Sequence, residues 1–272
     1  MVGVMSEQSE REAILREIAK KRIVYRAPGI DALPAPRALT YQSTSGSSLP
    51  MQVHYPASSS GRVPVVLAPL AFPDPEGGVR AYGPFTSWMQ LLAASGMAAV
   101  IYGTEAPDAD LHAALNYLRA DADALGLDPT RLALFATSGN VTVALSALMH
   151  DPQISCAALF YGYTMDLGES TVVADMSRQY GFVNACAGRS VNDLPDSVPM
   201  LFVRAGREHF PGVNDALDRV IAAALTRNLP FTLINHSTGA HGFDLDEDTD
   251  VSRGIIQQVV AFLRFHLDVE TS

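Results

Sequence analysis

The sequence predicts an α/β fold: a mostly parallel, twisted β-sheet with helices on both faces. Three observations predict it. Apolar runs at 63–68, 97–102 and 131–136 are continuous rather than alternating, as in strands buried on both sides. Each is followed by a stretch of helical periodicity, and strands alternating with helices are the pattern of parallel crossovers. The chain has 272 residues, 48% apolar and 18% charged, which suits one large domain able to bury a full core.

Residues 9–24 read as a charged amphipathic helix with Ile14 and Ile18 on one side. Pro28, Pro34 and Pro36 then break the chain, so 1–36 is expected to be a helix and linker preceding one domain, 37–272. Residues 37–56 predict an antiparallel hairpin around the polar turn S-T-S-G-S-S. Strands follow at 63–68 and 97–102, with a helix at 84–95 between them. A helix at 109–125 presents Leu111, Leu115, Leu118, Ala122 and Leu125 on one face, and D-P-T at 128–130 stops it. A strand at 131–136, a helix at 139–150 and a strand at 155–161 come next. Residues 163–196 break the rhythm, mixing Met165, Met176, Tyr180 and Phe182 with polar residues, and predict a small cap over one end of the sheet. The chain then resumes with a strand at 199–204, a helix at 214–227 and a strand at 231–235. A last helix at 252–267 should bury Ile256, Val260, Leu263 and Leu267.

Composition excludes several functions. The formal charge is −10 with no basic patch, so nucleic acid is not an expected partner. The only lysines are the adjacent Lys20 and Lys21, so no Schiff-base, P-loop or Ser–Lys chemistry is expected inside the domain. Cys156 and Cys186 form no C-x-x-C pair, and Cys156 lies in an apolar run as a buried thiol would. The N-terminal residues do not read as a signal peptide, and the longest apolar run, 63–72, is too short to span a membrane. A cytoplasmic protein without membrane association is expected. Gly77-Gly78 builds no dinucleotide loop. The run 244–250, D-L-D-E-D-T-D, lacks the glycine and terminal glutamate of a calcium loop and reads as a solvated acidic stretch. The spacing of His236, His241 and Asp244 matches no common zinc pattern. No cofactor and no metal are therefore expected.

The main chemical signal lies at 131–146, R-L-A-L-F-A-T-S-G-N-V-T-V-A-L-S. A buried strand ends near Ala136, a helix begins near Gly139, and Ser138 stands at the turn. Ligands of parallel sheets bind at the carboxyl ends of strands, and the N–H groups at a helix start favour developing negative charge. A serine nucleophile needs a base, and the base needs an orienting acid. One carboxylate, Glu208, lies in the loop after the strand at 199–204, with Asp215 as the fallback. Two histidines, His236 and His241, follow the strand at 231–235.

Ala136-Thr137-Ser138-Gly139-Asn140, Glu208 and His241-Gly242-Phe243-Asp244 stand in the order nucleophile, acid, base. In this the chain resembles the α/β-hydrolase superfamily, in its dienelactone-hydrolase-like and serine esterase branch, over roughly residues 38–267. The family elbow is G-x-S-x-G, and here Ala136 and Asn140 replace both glycines. The resemblance implies an α/β-hydrolase fold and a Ser138–His241–Glu208 triad, with His236 as the alternative base. It also implies an oxyanion hole from the Gly139 N–H and a donor after the strand at 63–68. Pro69 has no N–H, so Leu70 is that donor, with Ala71 the second choice. Leu70 and Phe72 can alternatively wall an acyl group. The implied activity is cleavage of small-molecule carboxylic esters, extending to lactones or thioesters, through an acyl-enzyme. The rival reading is a non-catalytic protein of the same fold that binds a ligand or partner. The N-terminal helix could be a homo-oligomer contact.

Overall fold

The computed structural model describes residues 17–59 and 61–269. Its strands are β1 (Arg37–Gln42), β2 (Ser48–His54), β3 (Val63–Leu67), β4 (Ala98–Tyr102), β5 (Leu127–Thr137), β6 (Cys156–Phe160), β7 (Met200–Arg207) and β8 (Phe231–Ala240). They form one eight-stranded sheet in the order β1-β2-β4-β3-β5-β6-β7-β8. β1 pairs antiparallel with β2, and β2 with β4; every other pairing is parallel. The helices are α1 (Gly83–Ala94), α2 (Pro107–Ala120), α3 (Ala122–Leu125), α4 (Val141–His150), α5 (Val172–Tyr180), α6 (Val213–Thr226), α7 (Phe243–Asp246) and α8 (Asp250–His266).

Alternate residues of each central strand feed two separate cores. Val65, Leu67, Leu134, Leu159 and Phe202 face Leu115 of α2, Leu145 of α4 and Val220 of α6. Val66, Ala133, Phe135, Phe160 and Val203 face Trp88 and Leu92 of α1 and Ile256 and Leu263 of α8. Burial on both faces explains the continuous apolar runs. The strand order reverses at β3: β4 lies on one side, while β5 crosses to the other and β6, β7 and β8 continue outward. The crevice at the carboxyl ends of β3 and β5 is therefore the switch point where such sheets bind ligands.

Several boundaries differ from the sequence expectation. The expected helix at 109–125 is two helices, and its apolar face is buried throughout. β5 begins at Leu127, because Leu127 and Asp128 pair with Val63 and Pro64 before a register shift. β7 and β8 run on to Arg207 and Ala240, held by their mutual ladder. Of the expected N-terminal helix, residues 9–16 lie outside the described residues; 17–20 are helical and 21–24 are not. After a last turn in which Lys21 N–H donates to the Ile18 carbonyl (3.0 Å), the chain is bonded to the domain: Ile23 N–H donates to Ser87 Oγ (3.0 Å) and Val24 N–H to the Asp244 carbonyl (2.7 Å). Among the described residues no helix is long and apolar enough to cross a membrane. Cys156 is fully buried, and burial pushes its thiol up to about 12.

His54, at the end of β2, is 4% exposed, and burial lowers its pKa from 6.5 to about 4. The folded chain keeps this ring neutral where the unfolded chain would protonate it. Its stabilising contribution is complete above pH 6.5 and is lost as pH falls toward about 4. Urea unfolding of the parent should lose about 2 kcal/mol more between pH 7 and pH 4.5 than His54→Gln does. Equal slopes would show that His54 is not the group responsible.

Candidate active site

The final register pair of β7 and β8 is Arg207 with Ala240, so the next residues of the two strands, Glu208 and His241, leave the sheet side by side. His241 Nδ1 lies 2.7 Å from Glu208 Oε2. The other oxygen, Glu208 Oε1, accepts the backbone N–H groups of His209 and Phe210, both at 2.9 Å. The carboxylate is thus held on both sides, and its side chain is only 2% exposed. On its far edge, His241 Nε2 lies 3.0 Å from Ser138 Oγ. A carboxylate facing Nδ1 sets the proton there, which leaves Nε2 as the acceptor toward a hydroxyl.

Ser138 follows β5 directly and takes a φ of 55°, in the left-handed region that disfavours a residue with a Cβ. It opens a single 3-10 turn, Ser138–Asn140, that leads into α4. Room for this tight turn comes from the neighbouring strand. A Cβ on Gly162, just beyond β6, would stand 2.2 Å from Val141 Cγ2 and 2.7 Å from the Ser138 carbonyl. Asn140 adopts ordinary helical angles, so backbone tolerance does not explain it there. Its side chain does: Oδ1 accepts the Ala71 N–H at 2.8 Å and ties the loop after β3 to the elbow.

Of the two loop donors that the sequence left open, Ala71 is therefore committed. The Leu70 amide lies near the buried Tyr102 hydroxyl, which makes no hydrogen bond within ordinary geometry. Gly139 is buried, with Phe182 of the 163–196 segment packed on its Cα.

His236 does not reach Ser138. It is buried in β8 with Nε2 3.2 Å from Ser252 Oγ and 3.8 Å from Glu247 Oε2. Asp215 lies in α6, where it accepts from Arg219. The acidic stretch is not solvated throughout. Asp244 is 1% exposed and accepts from Trp88 Nε1 (2.8 Å) and the Tyr161 hydroxyl (2.5 Å). Burial raises its carboxyl above the ordinary range, while those two donors pull it back. Tyr161 in turn lays its ring 4.6 Å from that of His241. Among the described residues no three His, Cys, Asp or Glu side chains are grouped to hold a metal.

No family model matches the sequence, and no curated protein matches it. Solved structures match its shape. A bacterial heroin esterase superimposes with a TM-score of 0.71 at 16% identity, covering 95% of this chain and 90% of that one. EstE1, a thermostable carboxylesterase cloned from a metagenomic library, gives 0.69 at 17%, with 97% and 98% covered. A thermostable esterase from Pseudomonas putida gives 0.70 at 18%, with 98% and 92% covered. The chain has the α/β-hydrolase fold. In α/β-hydrolase terms the elbow departs from the usual glycines, and Gly162 and Asn140 supply the clearance and the tether. Neither was recognisable beforehand, since each acts across the sheet on a residue distant in sequence.

Removing the tether leaves the buried Ala71 N–H unpaired, so Asn140→Ala should cost about 1–3 kcal/mol in denaturant unfolding. Gly162→Ala should cost a similar amount, about 1–3 kcal/mol, by overpacking the elbow. A substitution that leaves the midpoint unmoved would show that the contact assigned to it does not hold the turn.

Proposed function

We propose that the protein is a serine hydrolase of small-molecule carboxylic esters, acting through an acyl-enzyme with Ser138, His241 and Glu208. The observation that carries this reading is the chain of two contacts: 3.0 Å from Ser138 Oγ to His241 Nε2 and 2.7 Å from His241 Nδ1 to Glu208 Oε2. The position of Ser138 at the carboxyl end of β5, beside the strand-order reversal, with Glu208 and His241 at the same ends of β7 and β8, supports it. The structural likeness to proteins named as esterases adds to it.

In this mechanism Ser138 Oγ bonds to the acyl carbon while His241 Nε2 takes its proton. The carbonyl electron pair moves to oxygen, and the oxyanion is met by the Gly139 and Leu70 N–H groups. Collapse expels the alkoxide, which leaves as the alcohol with the proton from Nε2. A water then repeats the sequence on the acyl-serine, with His241 again as base. Glu208 keeps the imidazole in the required tautomer and stabilises its charged form. The chemistry requires no cofactor. Residues 163–196 act as a cap on a single domain that begins near residue 37.

A fluorophosphonate probe should label the parent protein and not Ser138→Ala. With a short p-nitrophenyl ester, Ser138→Ala and His241→Ala should lower kcat by about 10⁴-fold or more, and Glu208→Gln by about 10³–10⁴-fold. A folded parent that takes no label and cleaves no ester would instead be a ligand-binding protein of this fold.

A further inference from the structure

The proton that leaves with the alcohol comes from His241 Nε2, so the leaving group must lie on the histidine side of Ser138. The oxyanion is turned toward Gly139 and the loop after β3, and the acyl chain is left with the side away from His241. The two sides are built differently. The ring neighbours of His241 are Tyr161, Phe210 and His209, with centroids at 4.6, 4.6 and 6.0 Å. His209 and Pro211 are exposed, while the Phe210 ring between them meets that of Tyr180 of α5 at 5.6 Å.

Phe182 stands against Gly139, the residue after Ser138. Its Cγ lies 3.0 Å from where a Cβ of Gly139 would stand. It stacks on Tyr163 at 5.0 Å and meets the edge of Phe72 at 6.4 Å. Phe182 is only 4% exposed, whereas Phe72 is 41% exposed at the rim. The backbone carrying Phe182 is fastened to three different elements. Its carbonyl accepts from Ser177 Oγ of α5 (2.7 Å), and the next amide, Val183 N–H, donates to the Ala71 carbonyl (2.7 Å). The Val183 carbonyl accepts from Thr142 Oγ1 of α4 (2.7 Å). Tyr163 is pinned as well, its hydroxyl donating to the Pro211 carbonyl at 3.0 Å. A long acyl chain would have to displace a ring whose backbone is tied to the cap, the oxyanion loop and the nucleophile helix at once.

We infer that the protein selects esters with a small acyl group, acetyl or propionyl, and that Phe182 sets the acyl limit. The inference rests on the hydrolase reading above. Its test is kcat/KM on p-nitrophenyl acetate and p-nitrophenyl hexanoate for the parent, Phe182→Ala and Phe182→Leu, alongside fluorophosphonate labelling of each. The parent should favour acetate by at least about tenfold, Phe182→Ala should reduce that ratio by about tenfold, and Phe182→Leu should fall between. Folding of each variant is checked by circular dichroism; if Phe182→Ala does not fold, the parent ratio and the leucine variant decide. A parent that labels on Ser138 but cleaves hexanoate as well as acetate overturns the acyl limit and leaves the hydrolase reading standing. So does a ratio that stays unchanged in the folded variants. A parent that neither labels nor cleaves either ester overturns both.

Discussion

Glu208 and His241 belong to different strands, and what brings them together is the parallel ladder of β7 and β8. Their pairing runs from Met200 with Phe231 to Arg207 with Ala240, with a register shift between Ala205 and Arg207. Side-chain direction alternates along a strand, so a slip of one residue would turn His241 to the other face. The shift depends on close backbone approach. A Cβ on Gly206 would stand 2.4 Å from the Ser237 carbonyl, and one on Gly239 would stand 2.5 Å from His236 Cγ. His236 is therefore the ring that fills the space beneath the end of β8. Glu247 assists by accepting the Ala240 N–H at 2.7 Å, immediately before His241. His236 thus packs beneath the strand end from which His241 follows.

The elbow solves a different problem. A left-handed residue with a Cβ costs on the order of 1–2 kcal/mol, and the turn persists only if its surroundings over-determine it. Gly162 removes the side chain that would collide with Val141 and the Ser138 carbonyl. Asn140 fastens the turn to Ala71, and the Ala71 carbonyl is fastened to Val183. The loop after β3, the elbow and the cap thus form one hydrogen-bonded unit around Ser138. Glycines in the motif itself are one way to relieve crowding between strand and helix. A glycine just beyond the adjacent strand is another, and it leaves the motif position open to a residue with a useful side chain.

The layers, the antiparallel hairpin and the positions of Ser138, Glu208 and His241 could be read in the sequence. Each depends on a local signal: an uninterrupted apolar run, a polar turn, a small residue at a strand end. The distinction between His236 and His241 has no such local signal. It turns on how far β8 continues, and residues 236–240 extend because β7 lies alongside, not because their own composition demands a strand. The burial of Asp244 is hidden in the sequence for a related reason. In sequence it begins an acidic run, but Trp88 and Tyr161 come from distant segments to meet it. Phe182 stood out only as an aromatic in an irregular stretch, and its contact with Gly139 spans 43 residues of chain.

The burial of Asp244 has a mechanical consequence for the imidazole. An isolated carboxylate in an apolar core is costly, and it persists here because two donors from different elements converge on it. One of those donors is Tyr161, whose φ of 29° lies outside the regions a bulky residue ordinarily occupies. The backbone alone would not hold Tyr161 there. Its hydroxyl is bonded to Asp244, and its amide donates to the Val203 carbonyl at 2.6 Å. The ring fixed in this way lies against one part of His241, and Phe210 lies against another. With Glu208 on Nδ1, the imidazole has little freedom to rotate away from Ser138. In the proposed mechanism, a base held by packing as well as by its acid spends less entropy in reaching the reactive geometry.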